Sequence, residues 1–297
     1  MTRIIPYDLI KHLEWAPGKE IPAQPDPIQY SLDNRKYSID DILKGETFYS
    51  NERDGKKYIG IPIALQQALE HAGEEGIVAT MPELIAAKAK AEKSHEFWKN
   101  WYTVHTEENI GIDKKGRFYT RNTPVLVVVN GGGILTPDRV RQVYSEGLVG
   151  NSARYIDDEF DGLLDGKLPD GSSLTLYHYE DIEKGVSGLP HRFGIVMPYE
   201  KAKGTESGFQ KQEKFLKNPL AIARNGGKEN LEAYSEKAKS GENIGNWHVY
   251  GGDRDPSVPQ GRLLFLNIVC DGLVGINVLD DYGRFVGVAP EARSARK

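Results

Sequence analysis

The run Thr123-Pro-Val-Leu-Val-Val-Val129 leaves this chain the fewest choices. β-Branched side chains are stiff at their first torsion and favour strands. An apolar run with no polar alternation has no face to give to solvent, so it predicts a strand buried on both sides. The Asn130-Gly-Gly-Gly133 loop ends the run. Beyond it, Thr136 suits a helix cap, Pro137 suits the first helical position, and Gly147 can close a helix over 137–146. Strand, glycine loop and helix make one βα step near 123–146.

The chain before this step reads as mainly helical. Ser38 caps a short helical turn. The stretches Thr47–Ser50 and Lys57–Ile61 flank Asp54-Gly55 and predict a hairpin. A helix is expected from Ile63 to His71, closed by Gly73. The longest helix is expected over Thr80–Tyr102, opened by a capping box of Thr80 and Glu83 with Pro82 in its first turn. After the step come strand candidates at Leu174–Tyr177 and Phe193–Met197, and helices at Pro219–Arg224 and Lys228–Lys239. The chain then closes on Trp247–Tyr250, Arg262–Val269, Gly275–Leu279 and Arg284–Val288, which are β-prone and separated by Gly and Asp turns. A helix-rich first third, one βα step and a β-rich C-terminal third predict a mixed α+β fold.

Residues 1–33 contain Pro17, Pro22, Pro25 and Pro27, which favour extended backbone, so an N-terminal arm is expected there. Residues 34–297 are expected to form a single compact α+β unit, with any subdomain break near 110–120.

Charge and composition narrow the function classes. The net charge is −5 and the pI is about 5.9, which is not the basic footprint of a nucleic-acid binder. One cysteine, Cys270, allows no internal disulfide, and at the end of an apolar run it reads as a small buried hydrophobe. Asp8, Lys11 and His12 interrupt the first residues, so no signal peptide is expected. The most apolar run is too short to span a bilayer. The expectation is a soluble, cytoplasmic protein with no membrane partner.

Three features point to chemistry. Glycines after a buried strand and before a helix let backbone N–H groups approach an anion, so Asn130, Gly131, Gly132 and Gly133 are candidate ligand-binding residues. The same loop also reads as a tight turn. It lacks the Lys-Ser/Thr pair of a P-loop and the spacing of a dinucleotide fingerprint, and Asp138 in the following helix opposes a phosphate. His178 and Glu180 follow a strand candidate at a spacing that would share one face, a candidate acid–base pair. His191 beside Arg192 offers a second acid–base or charge-stabilising pair. For each pair the competing reading is a surface histidine with an incidental neighbour. The acidic stretch Asp157–Asp161, with Asp165 and Asp170, lacks cation-loop spacing and reads as a solvated helix followed by turns. No metal ligands are assigned, and no motif names a cofactor.

Two functional expectations follow. The first is an enzyme or ligand-binding protein acting on a small anionic, phosphate-containing substrate held at the glycine loop. The second is a non-catalytic structural or assembly subunit of a homo-oligomer or particle, self-associating through the N-terminal arm.

Overall fold

The valine run does form a doubly buried strand, and alternate residues enter two different cores. Val125, Val127 and Val129 belong to one apolar cluster, Leu126 and Val128 to the other, and all five are fully buried. This follows from the period of two in a pleated strand. At ~1.5–3 kcal/mol for each buried Val or Leu side chain, a slip of one residue would misplace the whole set.

The computed structural model describes residues 37–149, 151–238, 244–250, 254–267, 272–275 and 279–290. The arm expected over 1–33 and Cys270 lie outside the described residues. In chain order the first seven strands are β1 (Glu46–Ser50), β2 (Arg53–Asp54), β3 (Lys57–Tyr58), β4 (Ile77–Val78), β5 (Tyr102–Asp113), β6 (Thr123–Asn130) and β7 (Ala153–Arg154). The rest are β8 (Thr175–His178), β9 (Phe193–Pro198), β10 (Gly208–Gln210), β11 (Ile244–His248), β12 (Gln260–Asn267), β13 (Gly272–Gly275) and β14 (Gly283–Val288). The fold is α+β.

The main sheet runs β10-β11-β13-β12-β5-β6-β9-β8, with β7 paired to β12. β6 lies between two antiparallel neighbours, β5 and β9. Helices cover both faces, which is why an antiparallel strand here carries an unbroken apolar run. Helices Gly60–Ala72, Pro137–Glu146 and Asp157–Leu164 contribute Leu65, Val140 and Leu163 to one layer. Helices Met81–Lys90, Pro219–Asn225 and Glu229–Lys237 contribute Leu84, Ile222 and Leu231 to the other. A small sheet, β1-β14-β4, closes the remaining side.

Two expectations change in detail. The hairpin pairs only Arg53–Asp54 with Lys57–Tyr58 around Gly55, while Thr47–Ser50 pairs with β14, with Phe48 set opposite Phe285. The helix expected over Thr80–Tyr102 ends at Lys90 and resumes only as Glu96–Lys99. A tertiary cap replaces its continuation. The Trp98 indole N–H donates to the carbonyls of Lys88 (3.0 Å) and Ala91 (3.3 Å), and the ring stacks on Tyr234.

Candidate functional site

The structure brings some of the expected residues together. β6 delivers Asn130, and the chain entering β9 delivers His191 and Arg192 beside the glycine loop. Arg192 donates from Nε to the Gly131 carbonyl (3.1 Å) and from Nη1 to Ser172 Oγ (2.6 Å). Gly131 has φ +80°, and a Cβ there would lie 2.8 Å from the His191 carbonyl oxygen, so a side chain is excluded. His191 Nδ1 lies 2.8 Å from Glu83 Oε1. Glu83 is the capping-box residue, and its second oxygen accepts from both the N–H and the hydroxyl of Thr80, each at 2.9 Å. Burial alone would raise the Glu83 carboxyl; the His191 ring and the Thr80 bonds outweigh it and hold it below the ordinary value.

The backbone N–H groups of Gly131, Gly133, Ile134 and Leu135 are already taken. Glu107 projects from β5 and accepts from the backbone N–H groups of Gly133 (3.1 Å), Ile134 (3.1 Å) and Leu135 (2.9 Å). Burial pushes its carboxyl up to about 7 against the pull of these bonds. Gly131 N–H donates to the His105 carbonyl (3.0 Å). A Cβ on Gly132 would lie 2.7 Å from His105 Cε1, so the imidazole fills the space over the loop. Burial and the nearby His191 and Arg192 charges push His105 down to about 3, leaving a neutral ring.

His178 and Glu180 do not form the expected pair. β8 ends at His178, and Glu180 lies in the helix Tyr179–Lys184, so the alternation of a strand does not relate them. His178 packs on the rings of Phe118 and Tyr119. Glu180 accepts from the Tyr119 hydroxyl (2.9 Å). In the parallel β8–β9 register His178 is opposite Val196, at the far end from His191 and Arg192. Among the described residues, no group of three or more His, Cys, Asp or Glu could hold a metal ion, and no helix is long and apolar enough to cross a membrane.

A second constellation, absent from the sequence reading, sits under the β10–β11 end of the sheet. Arg224, on the helix Pro219–Asn225, donates from Nε to Glu108 Oε1 (2.8 Å). Its Nη1 donates to Asn246 Oδ1 (2.6 Å) and to the carbonyls of Trp247 (3.1 Å) and Leu273 (3.2 Å), so one guanidinium ties β11 to β13. Arg262 Nε lies 3.6 Å from Glu108 Oε2. Glu108, Arg224, Arg262 and Arg254 are all buried. Burial would raise Glu108, but Arg224 and Arg262 outweigh it and hold the carboxyl at about 2. Burial, with Arg262 adding like charge, lowers Arg254 to about 9. His248 is pushed down to about 4 by burial and then by Arg224. Gly275 completes the fit, because a Cβ there would lie 2.3 Å from Arg224 Nη2.

Above this buried cluster the sheet shows an apolar surface. β10 sets Phe209 opposite Gly245 on β11. Alternation then places Gly245 and Trp247 on the same side as Phe209, and Val249 lies one residue past the end of β11. The Phe209 and Trp247 rings meet edge to face at 5.4 Å, and Phe209 and Val249 are 52% and 54% exposed. Ser207 fixes this edge: its hydroxyl donates to the His248 carbonyl (2.8 Å) and accepts from the His248 N–H (3.0 Å).

No protein-family model matches the chain, and none of the curated proteins matches it. Among solved structures it is similar to one from Nanoarchaeota described as "Accommodation of massive sequence variation in Nanoarchaeota by the C-type lectin fold". The two are 28% identical and superpose with a TM-score of 0.60, over 82% of this chain and 97% of the other. The neighbour has a C-type lectin fold. This match to a C-type lectin fold corrects the expectation of an enzyme or ligand-binding protein acting on a small anionic, phosphate-containing substrate. The local reason is Glu107, which supplies the acceptor that a ligand would otherwise bring to the N–H groups of Gly133, Ile134 and Leu135.

Proposed function

We propose that this chain is a binding protein that recognises another macromolecule through the β10–β11 face. The observation that carries this reading is exposed Phe209 and Val249 beside half-buried Trp247 on a rigidly held sheet edge. Large apolar and aromatic side chains clustered at a surface are the usual anchors of an interface. A buried ion cluster tied to the same strands keeps their backbone in place while the outward side chains carry specificity. The neighbour's description, variation accommodated by a C-type lectin fold, suggests the same division of labour here: a fixed scaffold under a changeable surface. An apolar protein surface is the partner that suits this trio.

The test has two arms. Simultaneous replacement of Phe209, Trp247 and Val249 by Ser is expected to keep the circular dichroism spectrum of the wild type, with a lower melting temperature from the lost packing of Trp247 on its core. The wild type is then expected to retain a specific partner from an extract in quantitative affinity mass spectrometry, and the triple variant to lose that partner. A correctly folded triple variant that retains it equally well overturns the reading.

A further inference from the structure

Two glycine-containing loops, 185–189 and 225–230, face each other across an open cleft of about 230 Å³. The cleft shares no residue with the β10–β11 face. Its inner end holds an unpartnered acceptor. Asn225 is 2% exposed, and its Nδ2 donates to the Ala221 carbonyl (3.0 Å). That bond fixes which end of the amide is nitrogen, and it leaves the buried Oδ1 without a hydrogen bond. A buried acceptor left unpaired costs ~1–3 kcal/mol, so this oxygen calls for a donor from outside the chain.

The other wall supplies donors. The nine-residue helix Glu229–Lys237 begins here, with Lys228 at its cap position and no side-chain cap. The Glu232 N–H is the one that reaches Lys228 O, so the N–H groups of Glu229 and Asn230 precede the helical ladder and have no acceptor within it. They carry the positive end of the helix dipole, and Lys228 lines the same cleft. Ile39, Ala86 and Val186 form an apolar wall beside them. Glu229 is exposed at the rim and opposes a negative ligand.

A ligand matching this order presents a carboxylate to the helix start, the N–H two bonds further back to Asn225 Oδ1, and an apolar group to Ile39 and Ala86. We propose that the cleft binds the carboxyl-terminal end of a polypeptide with an apolar last residue. Capture of a terminal carboxylate by backbone N–H groups is an established recognition mode in other proteins. A neutral amide acceptor at Asn225 suits a peptide N–H better than it suits the ammonium of a free amino acid.

The test uses the full chain and N-acetylated short peptides ending in Leu, titrated by calorimetry. Saturable binding is expected, weakened at least about tenfold when the terminal carboxylate is replaced by an amide. Lys228→Gln should weaken it and Glu229→Gln should strengthen it; Glu229 is exposed and Lys228 only half-buried, so the fold is preserved. Asn225→Leu, which removes the acceptor for the peptide N–H, should weaken it, with the melting temperature checking that the fold is kept. Binding of free leucine but of no peptide overturns the peptide assignment in favour of a free amino acid. Equal binding of acid and amide peptides overturns the carboxylate site. No binding of any probe at millimolar concentration overturns the proposal, leaving water as the partner of Asn225.

Discussion

Replacing Glu108 by Gln removes the carboxylate that Arg224 and Arg262 share and leaves their guanidiniums buried beside a neutral group. Two independent routes give the cost. Removing one partner of a buried ion pair costs ~3–5 kcal/mol. The carboxyl is held at about 2 against an ordinary 4.5, which at ~1.4 kcal/mol per pH unit is about 3 kcal/mol. A folded-state pKa lowered in this way contributes stability that is present above 4.5 and lost as pH falls through about 2. Urea unfolding followed by tryptophan fluorescence should therefore place Glu108→Gln about 3 kcal/mol below wild type at pH 7. The gap should narrow on acidification, because the wild type loses that increment and the variant has none to lose. A variant within ~1 kcal/mol of wild type at pH 7, or a gap that does not change with pH, would refute the assignment of Glu108 as the charged partner of the cluster.

Other outcomes follow from the same contacts. Gly132→Val places a β-branched residue at φ +93° against His105 and should cost ~2–4 kcal/mol in urea unfolding; an unchanged midpoint would show that the imidazole is free to move. Glu107, raised to about 7, contributes stability that is full below pH 4.5 and lost as pH rises through 7. Wild type should thus lose ~3 kcal/mol across that window, and Glu107→Gln, measured at pH 5 and pH 8, should lack the slope. His105, lowered to about 3, acts in the opposite sense: its contribution is present above pH 6.5 and lost as pH falls toward 3, and His105→Asn should flatten acid unfolding in that range. Trp98→Phe removes the donor to Lys88 and Ala91 and should cost ~1–2 kcal/mol, read as a lower melting temperature.

What was legible in the sequence was local. The valine run, the Thr136–Gly147 helix and the Thr80–Glu83 capping box each depend on residues a few positions apart, and all three stand in the structure. What was not legible depended on distant residues. The long helix stops because Trp98 folds back on it. The glycine loop is occupied because β5, paired with β6, brings Glu107 beneath it from 26 positions upstream of Gly133. Arg224 meets Glu108 across 116 positions of chain. One signal was available: Glu107 and Glu108 lie in a stretch bounded by Val104 and Ile110, and carboxylates on a buried strand require partners. His178 and Glu180 misled because a spacing of two carries meaning only within one strand, and the strand ends between them. The exposure of Phe209 had no local signature, since it could equally have been core.

The assignment of odd and even residues of β6 to separate cores makes sequence neighbours strangers in space. Val127 and Val128 are joined by one peptide bond, yet each answers to a different set of packing partners. Repacking Leu263, Phe265 and Val274, the layer on which Trp247 rests, poses a problem that Leu264, Leu266 and Leu273 never see. Divergence can thus rework one compartment at a time, with the sheet as the wall between them.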